Sequence, residues 1–493
     1  MHIILNTGSP VAASGWSPLV QPASDHVPSA LAKSIRWWDG VALTLSLPAA
    51  LFVSLGYSIG AIGAWSAITL WAGIAAIAAL HNWLYSEMGA MFVDKSGGIA
   101  LYANEAWQAR APALGPLATY AYWFAWATAP AIWGLAVAQI LSAQAFPGDR
   151  LLFSAGPLAL DAAHAVALLV ALLSWALSMV QLRFAMLLIT AAGLLLMIPV
   201  AIFSTTYLWA PSSLAGLTWR LGGGLHGVRV ALAWLFVMAW SAYAVEAAAS
   251  FIPEFRDTVA DTRKALRGAA LVLLVVFCAT PLGLVALLGE EAVGSHPNGF
   301  LQAGTLALFG GGAAAMTVVL LAGILVLSVM GTADAARALY QSACDGLTVR
   351  QFARLNRHGI PARAVTLQLI INVALVLFVG NALAVIVAGN IGYILAHLLA
   401  VSGFVALRKD RPDAPRPIRL ARGWVGVAVA LTAFDALILV VGTTSASITG
   451  YGGLKEVLIA IGVLALSQVL YYLRRWQDAQ DAGLESDART AGG

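Results

Sequence analysis

Long apolar stretches recur along this chain, each bounded by charges or by Pro/Gly clusters. Twelve reach membrane-spanning length, at roughly 40–63, 65–91, 116–143, 158–180, 184–208, 228–252, 266–288, 312–340, 362–379, 382–407, 423–442 and 452–473. The pattern predicts an all-α multi-pass membrane protein with twelve transmembrane helices. Residues 1–37 form a polar N-terminal tail, 38–410 a core of ten spans, 411–475 two further spans and 476–493 a C-terminal tail. Within the core, spans 1–5 occupy 38–208 and spans 6–10 occupy 228–407.

Composition agrees with lipid as the main solvent. Of 493 residues, 60% are hydrophobic and 10% charged, with a mean hydropathy of +0.84. Soluble chains carry about 45–50% apolar and about 25% charged residues. The balance excludes a cytosolic enzyme, a secreted disulfide scaffold, a disordered hub and a nucleic-acid binder as descriptions of the whole chain. Cys278 and Cys344 give no disulfide framework. The N-terminus lacks the basic n-region and long apolar run of a cleaved signal peptide.

The net charge of +4 reports orientation. With the N-terminus cytoplasmic, 23 of the 27 Lys and Arg residues fall on the inner side and 4, Arg150, Arg220, Arg229 and Lys455, on the outer side. Both termini are therefore expected in the cytoplasm, and the expected location is the bacterial inner membrane. No cofactor or metal is expected. Gly222-Gly223-Gly224-Leu225-His226-Gly227 fits a dinucleotide fingerprint by letter, but it lies in an expected external loop without a preceding strand. The histidines are scattered, and no Walker-type segment is present.

Two spans carry the features of a transport site, because irregular backbone inside lipid is tolerated where it lines a cavity or is buried in protein. Span 1 contains Pro48 followed by Gly56, Gly60 and Gly63; span 6 contains Ser241, Tyr243 and Glu246, with Pro253 at its end. They stand five spans apart, as a 5+5 inverted repeat with discontinuous helices 1 and 6 and two peripheral helices requires. The N-terminus of a half-helix offers amides and a partial positive charge to a carboxylate. A proline kink and a packed polar patch are the plainer alternative.

Polar groups within spans need a reason, since each carboxylate costs about 2.5–3.5 kcal/mol to insert. Glu246 is read as a gating or proton-linked residue. Asp334, three residues before Arg337, is read first as a structural ion pair on one helix face, with coupling as its second role. Asp435 is assigned to packing or an oligomer contact, and His397 to a satisfied histidine. Trp240 offers cation–π attraction to an ammonium or guanidinium. Trp126 would cover the site from span 3, and Ser328 lies near mid-membrane in span 8.

Several segments resemble the amino acid–polyamine–organocation permeases. Tyr85-Ser86-Glu87-Met88 followed by Ser96-Gly97-Gly98-Ile99-Ala100-Leu101-Tyr102 resembles that family's loop after span 2. Ala336-Arg337-Ala338-Leu339-Tyr340, Asp345-Gly346 and Pro361 resemble its exit from span 8. Trp240-Ser241 with Val245-Glu246 resembles its broken span 6, and Tyr122-Trp123 with Trp126 its span 3 in the arginine/agmatine branch. The matches run in order over about residues 40–410. Four features depart from the family: the glycine-rich break of span 1 is absent, Ala244 replaces the glycine before Glu246, Thr258 stands where the family has a proline after the acidic loop, and span 5 lacks lysine.

The resemblance implies a secondary transporter of an amino acid or related amine. Spans 1, 2, 6 and 7 would rock against a scaffold, with proton symport or exchange as the coupling. It places the span-1 break between Pro48 and Gly56, so Ala49, Ala50, Leu51, Phe52, Ser54 and Gly56 become candidates for the substrate carboxylate. Trp126, Trp240, Ser241, Tyr243, Ala244 and Ser328 complete the expected binding site, with Glu246 and Asp334 for coupling or gating. The expected partners are the small-molecule substrate, protons and membrane lipid, with no nucleic acid; the oligomeric state is left open. A polyamine or cationic amino acid antiporter is the nearest alternative. A non-transporting membrane sensor or membrane-embedded enzyme is the alternative of a different class. The dispersed acidic residues oppose an enzyme, and the lack of a filter-like segment opposes a channel.

Overall fold

The computed structural model describes residues 33, 35–145, 151–155, 158–179, 182–210, 214, 216–297 and 299–491. The chain begins with two short helices, α1 (Trp37–Thr44) and α2 (Pro48–Ile62), and a long one, α3 (Ala64–Met91). Then come α4 (Gly98–Trp107), α5 (Leu114–Ala127), α6 (Ala129–Ala145) and a hairpin of β1 (Leu151–Ala155) and β2 (Leu158–Asp161). The strands are antiparallel, with Ser154 opposite Ala159 and Ala155 opposite Leu158. Next are α7 (Ala162–Ser178), α8 (Leu182–Thr205) and α9 (Gly224–Tyr243), the last continuing as a 3-10 helix over Ala244–Glu254. The remainder comprises α10 (Thr258–Leu288), α11 (Glu290–Ser295), α12 (Phe300–Phe309), α13 (Ala313–Cys344), α14 (Ala362–Phe378), α15 (Ala382–Asp410), α16 (Trp424–Thr444) and α17 (Leu454–Ala491).

Among the described residues, ten helical segments are long and apolar enough to cross a membrane. The expected spans at 158–180 and 362–379 are α7 and α14, apolar helices of 17 residues each. Such a helix rises about 26 Å, just under the roughly 30 Å of a hydrocarbon core. Large apolar side chains such as Leu187, Val275, Val318, Ile370 and Val440 point outward, so the exterior is itself apolar. This is the arrangement of an integral membrane protein. The expected N-terminal tail lies outside the described residues up to position 32, and α17 continues as helix to Ala491.

The interior is where the helices break. α1 and α2 are separated by the turn Leu45–Leu47, so the break expected between Pro48 and Gly56 is corrected to the residues just before Pro48. Proline is at home in the first turn of a helix, where its missing N–H leaves nothing unsatisfied. The turn closes through short-range bonds: Leu47 N donates to Thr44 O, Ala49 N to Ser46 O (3.0 Å) and Ala50 N to Leu47 O (2.8 Å). The next break was not anticipated. α5 passes into α6 at Thr128, ahead of Pro130, and Asn372 repairs the gap. Its amide oxygen accepts from Ala131 N (2.7 Å) and its amide nitrogen donates to Ala127 O (2.6 Å). A side chain thus does for the backbone what water cannot do in lipid.

The continuation of α9 behaves differently. Ala244 stays right-handed helical (φ −53°, ψ −16°), so the chain is not unwound there; it tightens into eleven residues of 3-10 helix. Runs beyond three or four residues are uncommon and often mark a hinge. Asn82 of α3 supports this stretch by donating to Val245 O (3.1 Å) as well as to Leu266 O. At its far end, Ile35 and Phe255 form an isolated parallel bridge, with Ile35 N donating to Glu254 O.

Candidate functional site

The two interrupted helices meet. Ser241, near the end of α9, donates its hydroxyl to Ala50 O of α2 (3.0 Å). Ala49, Ala50, Leu51, Phe52, Ser54 and Gly56 are all buried along α2. Ala49 and Phe52 line a cavity of about 30 Å³ together with Gln139, Pro297, Phe300 and Ile324. That is room for about two waters. Ser54 Oγ is buried with no partner among the described residues. Gly56 packs against the backbone of Pro297, where a Cβ would come within 2.6 Å of Pro297 Cα. Trp240 lies against Trp133, ring centroids 5.4 Å apart.

One turn beyond Ser241 lies a cluster of buried polar groups. Glu246 accepts on Oε1 from the Tyr393 hydroxyl (2.7 Å) and from Trp126 Nε1 (3.3 Å). Its Oε2 is 3.3 Å from the Tyr122 hydroxyl. The same hydroxyl lies 2.7 Å from Asp334 Oδ2 and 3.3 Å from Ser250 Oγ. A tyrosine hydroxyl has one proton to donate, and here two carboxylates compete for it, with the Ser250 hydroxyl as a neighbour able to donate or accept. Asp334 Oδ1 has no partner among the described residues. Glu246 and Asp334 are both fully buried, and two like charges in such a place are costly unless a proton or another cation joins them.

Among the described residues no arginine is in direct ion-pair contact with either carboxylate. The expected Asp334–Arg337 pair is not formed. Arg337 instead pairs with Glu254 through Nε (2.9 Å), donates to Ala333 O and covers the Phe251 ring. The spacing of three residues permitted the pair, but the tightened Ala244–Glu254 helix brings Glu254 to the guanidinium and leaves Asp334 facing Tyr122. Gly98, at the start of α4, explains its own identity. It has φ +54°, and a Cβ there would meet Ser250 Oγ at 2.8 Å.

The other expected residues are distributed around this centre. Ser328 shares a hydrogen bond with Ser174 (2.7 Å), joining α13 to α7. Tyr243 turns away from Glu246 and donates to Asp435 Oδ1 (2.7 Å). Of the two roles expected for Asp435, packing is the one observed: its Oδ2 lies 3.1 Å from His81 Nε2. His397 is not solitary, for its Nδ1 is 2.7 Å from the Tyr85 hydroxyl. Glu87 of the same segment holds Arg408 through both carboxylate oxygens and also reaches Arg416. Sequence reasoning missed Tyr393, Ser250 and Asn372, and quoted Tyr122 for its motif without giving it a role. The available signal was spacing: His81 with Tyr85, and Tyr393 with His397, stand four apart on a helix.

Many apolar helices, interrupted where buried polar groups gather, define a multi-pass membrane permease. The sequence profile of the family described as "Amino acid permease" matches residues 35–465. The chain belongs to that family, within the amino acid–polyamine–organocation superfamily; it is a transporter family and not an enzyme family. Among curated proteins none matches the chain.

Proposed function

We propose that this permease is a secondary active transporter that moves an amino acid or related amine across the bacterial cytoplasmic membrane by alternating access. Movement is linked to protons, by symport or exchange. Twelve transmembrane helices form the body, counting α7 and α14 as shorter spans. The first ten make two inverted repeats, α16 and α17 lie at the periphery, and both termini are cytoplasmic.

The observation that carries the reading is the Glu246–Tyr122–Asp334 cluster beside the Ser241–Ala50 bridge. A buried site with two carboxylates, one shared hydroxyl proton and its guanidinium engaged elsewhere is suited to a proton or an amine. The substrate carboxylate binds where α2 begins. Its first-turn amides, Ala49 and Ala50, are released from the Ser46 and Leu47 carbonyls when the turn opens. Leu51, Phe52, Ser54 and Gly56 shape that end, and Trp126, Trp240, Ser241, Tyr243, Ala244 and Ser328 shape the rest. Glu246 gates and carries the coupling proton, and Asp334 modulates it through Tyr122 without being required for the gradient response.

The test is counterflow. Proteoliposomes are preloaded with unlabelled amino acids and amines and offered a labelled panel outside, with and without an imposed pH gradient. Exchange of at least one compound, enhanced by the gradient, is expected. No exchange with any compound would leave a non-transporting sensor as the better description. Exchange confined to arginine, lysine or polyamines would select the cationic antiporter.

A further inference from the structure

A second buried titratable group lies outside the cluster just described, on a helix that the repeat architecture does not require. Asp435 is the twelfth of the 21 residues of α16 and is fully buried. It faces His81 of α3 through Oδ2 (3.1 Å) and the Tyr243 hydroxyl through Oδ1 (2.7 Å). Tyr243 is the last residue of α9, at the joint where the chain tightens into the 3-10 helix carrying Glu246. A peripheral helix thus reaches the one place in α9 where pitch changes.

Among the described residues the surroundings supply no other ion-pair partner for Asp435. From α3 come His81 and Tyr85, whose ring is stacked on His81 at 5.9 Å. From α9 comes Tyr243, and from α15 come His397, 5.4 Å from the His81 ring, and Tyr393 behind it. Tyr102 of α4 lies beyond Tyr85, and Glu246 beyond Tyr393. The charged groups nearest along α3 are engaged elsewhere: Arg267 of α10 with Ser86 and Trp83, and Glu87 with Arg408 and Arg416. His81 Nδ1 and His397 Nε2 are buried and meet no partner among the described residues. His81 therefore has a second nitrogen free to hold or pass a proton while Nε2 stays on Asp435.

We propose that His81 and Asp435 form a proton-binding site that acts on the α9 joint through Tyr243. The proposal rests on the proton-linked transport reading above. In the unloaded pair, Asp435 is a carboxylate and His81 a neutral imidazole, with a net charge of −1. A proton from water adds to the pair as an N–H of His81 or an O–H of Asp435, and the net charge becomes zero. As that N–H or O–H forms, one O–H of the donating hydronium breaks and leaves water, and release to water is the reverse exchange. In either loaded form the negative charge that Asp435 presents to Tyr243 is reduced, by its own proton or by the imidazolium that then pairs with it. Hydrogen bonds to an unneutralised ionised acceptor are the stronger ones, so the unloaded pair holds Tyr243 more firmly than the loaded pair. Loading loosens the joint that carries Glu246.

The experiment uses full-length protein, with an amino acid and amine panel in liposomes and with infrared difference spectra recorded between acid and neutral pH. Asp435→Asn and His81→Gln are expected to keep counterflow and to lose accumulation driven by an inward proton gradient. Both are also expected to lose a titrating infrared band, of the carboxylic C=O or the imidazole ring, that the wild type shows. Asp435→Glu is expected to restore part of the accumulation. Gradient-driven accumulation retained in Asp435→Asn or His81→Gln would overturn the proposal, as would an unchanged infrared difference spectrum. If Asp435→Asn does not purify as a monodisperse protein, His81→Gln carries the same comparison. Absence of counterflow in the wild type would refute the transport reading instead, and the infrared band would still decide whether the pair binds a proton.

Discussion

Between α1 and α2 the α-helical bonding lapses for a turn of only three residues, Leu45–Leu47, closed by i→i−3 bonds, whereas from α9 the tightening runs on through the eleven residues Ala244–Glu254. The first interruption rests on Pro48, which has no N–H to leave unsatisfied, and on bonds the turn makes to itself. The second has neither proline nor glycine at the joint and is supported from outside, by Asn82 on Val245 O. Their chemistry differs as well. Residues 40–63 hold no carboxylate or basic group, while the tightened helix carries Glu246 opposite Asp334. One interruption thus lies in a stretch without ionisable side chains, and the other carries a titratable one.

The largest effect is expected where the second interruption loses its acceptor. Glu246→Ala would leave the Tyr393 hydroxyl and Trp126 N–H buried without a partner, at about 1–3 kcal/mol each. A thermal melt in detergent should fall by several degrees and transport should be lost. Glu246→Gln keeps an acceptor oxygen and should melt close to the wild type. Next comes Tyr122→Phe, which removes the proton shared by the carboxylates. Its stability loss should be about 1 kcal/mol, with a pH profile of uptake displaced from that of the wild type. An unmoved profile would show that Tyr122 only packs.

Ser241→Ala tests whether the two interruptions act together. It removes the bond to Ala50 O, worth about 1 kcal/mol, and should raise KM for uptake while counterflow persists. An unchanged KM would separate the two helices functionally. The smallest effect is expected at the loop end of α2. Arg220 caps α2 at Ile59 O and Gly60 O and pairs with Glu290 (3.1 Å), and the Thr218 hydroxyl donates to Glu290. Burial alone would raise the Glu290 carboxyl, but the Thr218 bonds and Arg220 hold it below the usual carboxylate range. A depressed acid contributes stability above its unfolded pKa and loses it as pH falls through the folded value. The melting temperature should therefore drop slightly on the acid side, below the ordinary range for glutamate, and that drop should vanish in Glu290→Gln.

The membrane spans were legible because lipid demands long apolar runs, and so was the family, through Tyr85-Ser86-Glu87, Ser96-Gly97-Gly98 and Trp240-Ser241. Pro48 pointed to an interruption but not to its register, since a proline is compatible with a kink inside a helix or with the first turn after a break. The interruption at Thr128 was hidden because its repair comes from Asn372, far away in sequence. Glu246 stood out as a carboxylate in an apolar run, yet its partners Tyr122 and Tyr393 did not, because tyrosine is ordinary in membrane helices. Arg337 looked like the partner of Asp334 on local spacing, and tertiary packing gave it to Glu254. Asp435 looked peripheral until α16 was placed against α3 and α9.

The claim that Glu246 links protons to the interruption of α9 is tested most directly by amino acid uptake into proteoliposomes under an imposed pH gradient. Wild type, Glu246→Gln and Asp334→Asn are compared on the same panel. The account predicts that the gradient response is lost in Glu246→Gln, with counterflow still present, and kept in Asp334→Asn. A response that survives in Glu246→Gln and disappears in Asp334→Asn would contradict it.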